Sequence, residues 1–176
     1  MKIAMMIAVA ALAFAPAGDL KLGEPVSDIA LGKDSLAALT KEGKVVAVYF
    51  WSCDCPYGPP NYAHIKAATD KFADSAKVKI FTVSSSGEPE AKGQAWVKEI
   101  GLKGAFLYDE GKKIAKHFTP RKVNATFVID AKGNLIYRGG IAIEETNLLI
   151  DAINAALEGK TPPASDQKFA GCGIKS

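Results

Sequence analysis

The stretch Lys44-Val45-Val46-Ala47-Val48-Tyr49-Phe50-Trp51-Ser52-Cys53-Asp54-Cys55-Pro56 decides how this chain folds. Val45 to Phe50 is apolar at every position, so both faces of the segment must be covered. A short run rich in Val and aromatics favours a strand over a buried helical segment. It reads as a central strand with helices packed on each side. The run ends in a polar junction, Ser52 to Pro56, that carries Cys53 and Cys55. The carboxyl end of such a strand is where open α/β sheets place ligands and chemistry.

Downstream, a helix is expected to begin within Pro56 to Asn61 and run to about Ala73, burying Tyr62, Ile65, Ala68 and Phe72. Lys79 to Val83 reads as a second strand, and Pro89 starts a helix anchored by Trp96, Val97 and Ile100. Ala105 to Tyr108 is a short strand, followed by a short helix over Lys112 to Phe118. Thr126–Ile129 and Leu135–Arg138 flank Asp130-Ala131-Lys132-Gly133-Asn134, a hairpin whose Gly133 suits positive φ. Glu144 to Leu157 predicts a final helix, with acidic residues in its first turn and Leu149, Ile153 and Leu157 on its buried face. Upstream, Leu20 to Ile29 is extended and Asp34-Ser35 caps a helix that buries Leu36 and Leu39. The alternation describes a three-layer α/β sandwich around a mixed sheet, without internal repeat or second domain. After Gly159 comes the linker Thr161-Pro162-Pro163-Ala164-Ser165, then Phe169-Ala170-Gly171-Cys172-Gly173.

The first residues belong to targeting rather than to the fold. Lys2 precedes an apolar run from Ile3 to Ala15 that is too short to span a bilayer comfortably, ending in Ala15-Pro16-Ala17. This reads as a secretory signal over residues 1–17, cleaved before Gly18, leaving a domain at 18–159 and a tail at 160–176 that carries Cys172. The formal charge of +3 includes Lys2, and basic residues pair up only at Lys112-Lys113 and Arg121-Lys122. No stripe for nucleic acid and no basic membrane-surface helix results, and no stable membrane insertion is expected once the signal is removed.

Cys53, Cys55 and Cys172 are the only cysteines, so at least one stays unpaired within the monomer. They are too few to staple a scaffold and are free for chemistry. Cys55, just before a helix, faces unpaired N–H groups and the positive dipole end, which favour the nucleophilic thiolate. Cys53, two residues earlier, projects to the same side if the backbone is extended, and forms a strained disulfide with Cys55, shares a metal with it, or is incidental. Cys172, between Gly171 and Gly173, is either a resolving thiol on an adaptable tail or a staple that pins the tail. Either way it pairs with Cys55 or Cys53.

The stretch Lys44 to Pro56 resembles the active-site segment of the thioredoxin-like superfamily, and most closely its redoxin (AhpC/TSA-like, peroxiredoxin-like) branch. Phe127 to Asn134 followed by Leu135-Ile136-Tyr137-Arg138-Gly139 is similar to that family's penultimate strand, turn and last strand. Lys21-Leu22-Gly23-Glu24-Pro25 matches its lead-in, and the tail around Cys172 looks like the ending of exported bacterial members. The resemblance implies a thioredoxin-like fold, Cys55 as attacking cysteine, and Trp51, Ser52, Pro56 and Asn124 around it. Asn124 falls near where the family's cis-proline belongs, and Gly58 stands where a thioredoxin has its second cysteine. An attacking Cys55 must therefore be resolved from elsewhere, and oxidation is expected to join it to Cys172. A peroxiredoxin would have an arginine around the position of Asn124 and a proline where Val48 stands, and this chain has Asn124 and Val48 at those positions.

The leading function is thus thiol–disulfide exchange through Cys55, with Cys172 or Cys53 resolving. Peroxide reduction by the same thiol is the alternative. Copper handling by Cys53 and Cys55, with His64 or His117 adding an imidazole, is a third class; both histidines otherwise read as surface residues. No Gly-x-Ser-x-Gly elbow supports hydrolysis. The expected partners are an external thiol reductant and a protein disulfide or hydroperoxide substrate, in the periplasm or an equivalent compartment, with no cofactor, resident metal or nucleic acid. Intact-mass measurement of the protein recovered from its native host should find the chain starting near Gly18; a cytosolic protein retaining Lys2 would contradict the export reading.

Overall fold

The computed structural model describes residues 20–162 and 164–174; the expected signal segment, residues 1–17, lies outside them. A small antiparallel pair, β1 (Ala30–Leu31) and β2 (Asp34–Ser35), leads into α1 (Leu36–Lys41). Ser35 has extended backbone and its hydroxyl accepts the Ala38 N–H, which stops the strand and starts the helix. Leu36 and Leu39 are buried as the capping pattern requires.

Next comes β3 (Val45–Trp51), buried at every residue. It runs parallel to β4 (Val78–Ser84), which is parallel to β5 (Ala105–Tyr108). On the other side β3 pairs antiparallel with β6 (Ala125–Ile129), and β6 with β7 (Leu135–Gly140). The sheet order is β5-β4-β3-β6-β7, so β3 is central, as its two apolar faces demand. The fold is the thioredoxin-like α/β sandwich. The β6–β7 turn is held by Asp130, whose Oδ1 accepts the N–H groups of Lys132 and Asn134, while Gly133 takes φ +87°.

Alternate β3 residues serve opposite cores. Val45, Ala47, Tyr49 and Trp51 pack with α2 (Pro59–Lys71), α3 (Glu90–Glu99) and α5 (Leu148–Leu157). Val46, Val48 and Phe50 pack with α1 and α4 (Lys113–Phe118). The start of α4 is fixed by buried Asp109, whose carboxylate accepts the Ile114 and Ala115 N–H groups and the Ser85 hydroxyl.

The last helix departs from its expected bounds. Glu144 and Glu145 form the turn of a small ribbon, β8 (Ala142–Ile143) and β9 (Thr146–Asn147), with Glu144 at φ +51°. The helix starts only at Leu148, because the Asn147 side chain accepts the Ile150 N–H and caps it there. Leu149 and Ile153 are buried as expected, but Leu157, in the final turn, is 41% exposed.

His117 is also not the surface residue expected. It lies buried on α4 with its ring edge-on to Phe118 and a hydrogen bond to the Ser27 backbone. Burial, only partly opposed by that bond and by nearby Asp28, holds its pKa below the ordinary histidine value. The unfolded chain therefore binds more protons than the native one between the lowered folded pKa and the usual value of about 6.5. Stability should fall as pH drops through that window and be fully recovered above it. Denaturant melts at neutral and mildly acidic pH should show a smaller loss in His117→Gln than in the parent; equal losses would contradict this assignment.

Candidate active site around Cys55

Beyond Trp51 the chain stops being extended. Ser52 is buried; its hydroxyl accepts the Asp54 N–H at 3.2 Å and its carbonyl accepts the Cys55 N–H at 3.4 Å. This turn replaces the extended backbone that would have put Cys53 and Cys55 on one side. The Cys55 carbonyl accepts the Gly58 N–H at 2.8 Å, and α2 begins only at Pro59, favoured at a first helical position. Cys55 thus precedes the helix by a full turn rather than adjoining it. A Cβ at Gly58 would lie 2.8 Å from the Tyr62 hydroxyl and 3.1 Å from the Cys55 carbonyl oxygen, so a second cysteine there would crowd the turn.

Cys55 is instead joined to Cys172 by a disulfide, with Cα atoms 5.9 Å apart. The Cys172 N–H also points at Cys55 Sγ, at 3.2 Å. Cys55 is almost completely covered, whereas Cys172 is half-buried and Pro56 and Tyr57 beside them are exposed. The tail reaches the site by crossing β7: the Ser165 hydroxyl donates to the Ile136 carbonyl, and the Asp166 N–H to the Arg138 carbonyl. Phe169 then lies on Gly140, and Gly173 bridges antiparallel to Lys122 while the Val123 N–H donates to the Cys172 carbonyl at 2.9 Å. Gly171 does not serve flexibility as its flanking position suggested. A Cβ there would sit 2.0 Å from the Val123 carbonyl oxygen, so this glycine is a close-approach residue.

Asn124 ties these segments together. It is buried, with φ +68°, a region an Asn tolerates better than most residues. Its backbone N–H donates to the Phe50 carbonyl at 2.7 Å, and its Oδ1 accepts the Tyr49 hydroxyl at 2.9 Å. Its Nδ2 donates to the Tyr57 carbonyl at 2.9 Å and the Ala170 carbonyl at 3.2 Å. One side chain thus braces the loop after Cys55 and the tail before Cys172 against the central strand. The Tyr49 hydroxyl, wholly buried, is held far above its ordinary pKa by desolvation and stays a donor.

Cys53 lies outside the disulfide as a free, partly buried thiol packed against the cluster of Trp51, Tyr62 and Trp96. The Trp51 and Trp96 rings stack with centroids 3.9 Å apart. Burial first, then the charges of Asp54 and Glu88, raise the Cys53 pKa, and Lys92, which ion-pairs with Asp54, only partly offsets them. Cys53 is therefore a poor nucleophile near neutrality. Glu88 was not singled out in the sequence. It is buried, and neither carboxylate oxygen has a hydrogen-bond partner among the described residues. His64 and His117 stand apart from each other, on α2 and α4 of opposite layers, and no cluster of three or more His, Cys, Asp or Glu able to hold a metal occurs among the described residues. Asn124→Ala removes the acceptor of the Tyr49 hydroxyl and both braces; denaturant unfolding should show a loss of about 2–4 kcal/mol, and a loss within error of zero would contradict the bracing role.

The comparisons with known proteins agree with this fold. Among solved structures, a hypothetical protein from Sinorhizobium meliloti superposes with a TM-score of 0.77 at 21% identity, covering 90% of this chain and 96% of the other. A thioredoxin-family thiol:disulfide interchange protein from Chlorobium tepidum gives 0.62 at 18% identity, covering 80% and 99%. A protein from Bacteroides thetaiotaomicron, provisionally named as a disulfide isomerase, gives 0.66 at 25% identity, covering 79% and 91%. No curated protein matches the sequence. The AhpC/TSA family model matches residues 15–138, through the central strand, the Cys55 turn and the β6–β7 hairpin, and the chain belongs to the AhpC/TSA family.

Proposed function

We propose that this protein is an exported thiol–disulfide oxidoreductase in which Cys55 attacks and Cys172 resolves. One observation carries the reading: a strand-end cysteine of a thioredoxin-like sheet is paired with a cysteine on the tail that follows the last helix. The described residues include no helix long and apolar enough to cross a membrane. Residues 18–159 form the redoxin domain, and residues 160–176 the tail that completes its site.

In the reduced protein the Cys55 thiolate attacks one sulfur of a substrate disulfide. A Cys55–substrate bond forms, the substrate S–S bond breaks, and the other substrate sulfur leaves as thiolate. The Cys172 thiolate then attacks Cys55 Sγ and expels the first substrate sulfur as a thiolate, which takes a proton from water. The substrate gains two electrons and the Cys55–Cys172 pair loses them. An external dithiol closes the cycle. One of its thiolates attacks Cys172, the less buried of the two cysteines, and Cys55 departs as thiolate. The Cys172 N–H that faces Cys55 Sγ favours that charge. The second thiol of the reductant then displaces Cys172 as thiolate, and the reductant leaves as its own disulfide. Ser52 shapes the turn, Trp51 anchors it to the core, exposed Pro56 and Tyr57 meet the substrate protein, and Asn124 holds both reacting segments in register.

Membership of the AhpC/TSA family supports a second reading on the same residues. A hydroperoxide would oxidise the Cys55 thiolate to a sulfenic acid and leave as alcohol, and Cys172 would displace water to give the same disulfide. The two readings separate in one experiment with a protein disulfide and a hydroperoxide offered in parallel, and a dithiol as reductant. Disulfide reduction should be the faster reaction; it should vanish in Cys55→Ser, stall in Cys172→Ser with a mixed disulfide on Cys55, and persist in Cys53→Ser. Faster peroxide consumption would favour the second reading, and unaltered turnover in Cys55→Ser would contradict both.

A further inference from the structure

The tail sits on the site as a peptide would. Apart from the disulfide, its polar contacts with Val123, Asn124 and Cys55 are made by tail backbone atoms: the Cys172 carbonyl receives the Val123 N–H, the Ala170 carbonyl receives Asn124 Nδ2, and the Cys172 N–H meets Cys55 Sγ. Gly173 completes an antiparallel bridge to Lys122. Backbone pairing of this kind is available to any extended chain, so it supplies affinity without sequence preference. Preference arises at two places. Gly171 lies so close to the Val123 carbonyl that no side chain fits between them. Phe169 occupies bare backbone at Gly140, with a hypothetical Gly140 Cβ only 2.6 Å from the Phe169 Cβ, beside a cavity of about 490 Å³ bounded by Pro120, Phe127 and Arg138.

Building on the oxidoreductase reading above, we propose that the groove filled by residues 169–173 is the binding seat for the substrate polypeptide and that the tail is its resident competitor. The substrate segment it selects is extended, has glycine immediately before the reactive cysteine, and has an aromatic residue three positions before that cysteine. On reduction the bond to Cys172 is lost and only the noncovalent contacts hold the tail, so an external segment exchanges with it. The tail returns when its thiolate attacks the Cys55–substrate disulfide, releasing the substrate thiol and restoring the Cys55–Cys172 bond. Tethering gives the tail a high local concentration, so bound product is displaced efficiently.

The test uses the full chain carrying Cys172→Ser and a peptide with the sequence of residues 166–175, activated at its cysteine as a mixed disulfide with a coloured aromatic thiol. Attack by Cys55 links protein to peptide and releases the coloured thiolate, which reports the rate. Replacing the peptide's glycine before cysteine by alanine should slow transfer roughly tenfold or more, since the added Cβ meets backbone. Replacing its phenylalanine by alanine should slow it severalfold. In the protein the same change acts oppositely: Gly171→Ala or Phe169→Ala, each added to Cys172→Ser, should speed peptide transfer, because the competing tail no longer seats. Circular dichroism checks that each variant is folded, and the Phe169 variant tests competition without added bulk.

Equal rates for the three peptides, matching the simple aromatic disulfide reagent, would overturn the groove while leaving Cys55 a reactive thiol. Slower transfer in both tail variants would overturn the competitor role. Failure of Cys55 to react even with the simple reagent would instead defeat the oxidoreductase reading, and this proposal with it.

Discussion

Cys172 reaches Cys55 only because the backbone of the tail can lie directly against the backbone before β6. The contact at Gly171 and the Val123 carbonyl sets that distance, and the Val123 N–H to the Cys172 carbonyl sets the register. A residue with a side chain at 171 would hold the tail away and carry the Cα atoms beyond their 5.9 Å separation. The bond then closes a loop of 117 residues, which in the chain-entropy account restricts the unfolded state by about 4–5 kcal/mol. Asn124, placed between the two half-sites, transmits the same constraint to the central strand through Tyr49 and Phe50.

The sheet provides the fixed side of this arrangement. β3 is clamped between parallel β4 and antiparallel β6, so the turn from Ser52 to Gly58 leaves a rigid end. The stacked pair Trp51 and Trp96 anchors one side of that end, and Phe50 with Phe118 and Phe127 the other. Reactivity is then divided by environment. Cys53, tucked against the tryptophans beside Asp54 and Glu88, is held protonated, whereas Cys55 faces an N–H donor from the tail.

Much of this was legible in the sequence because it depends on local pattern. Val45 to Phe50 allowed no exposed face, Asp130 to Asn134 carried its own turn chemistry, and Ser35 announced the first helix. The missing second cysteine at Gly58 directed attention to Cys172. The errors came where local cues competed or where tertiary contacts decide. Glu144-Glu145 resembled an acidic first turn, while Asn147, a good cap immediately before Leu148, was the better signal. Leu157 fits the four-residue repeat but belongs to the final turn, where it is left exposed. His117 is buried by the lead-in around Ser27, far away in sequence. The flanking glycines of Cys172 looked permissive because only the folded structure shows what Gly171 touches. Glu88 and the bonds of Asn124 had no local signature.

A disulfide that only pins a tail and one that carries electrons share the same bond but differ in how readily they are reduced. The reduction potential of Cys55–Cys172, obtained by equilibrating the folded protein in dithiol buffers and quantifying both thiols, is therefore the most direct measurement. A redox-active pair should equilibrate between about −120 and −270 mV, the span of thioredoxin-like oxidoreductases. A value below about −300 mV, where structural disulfides lie, would contradict a catalytic role for the pair.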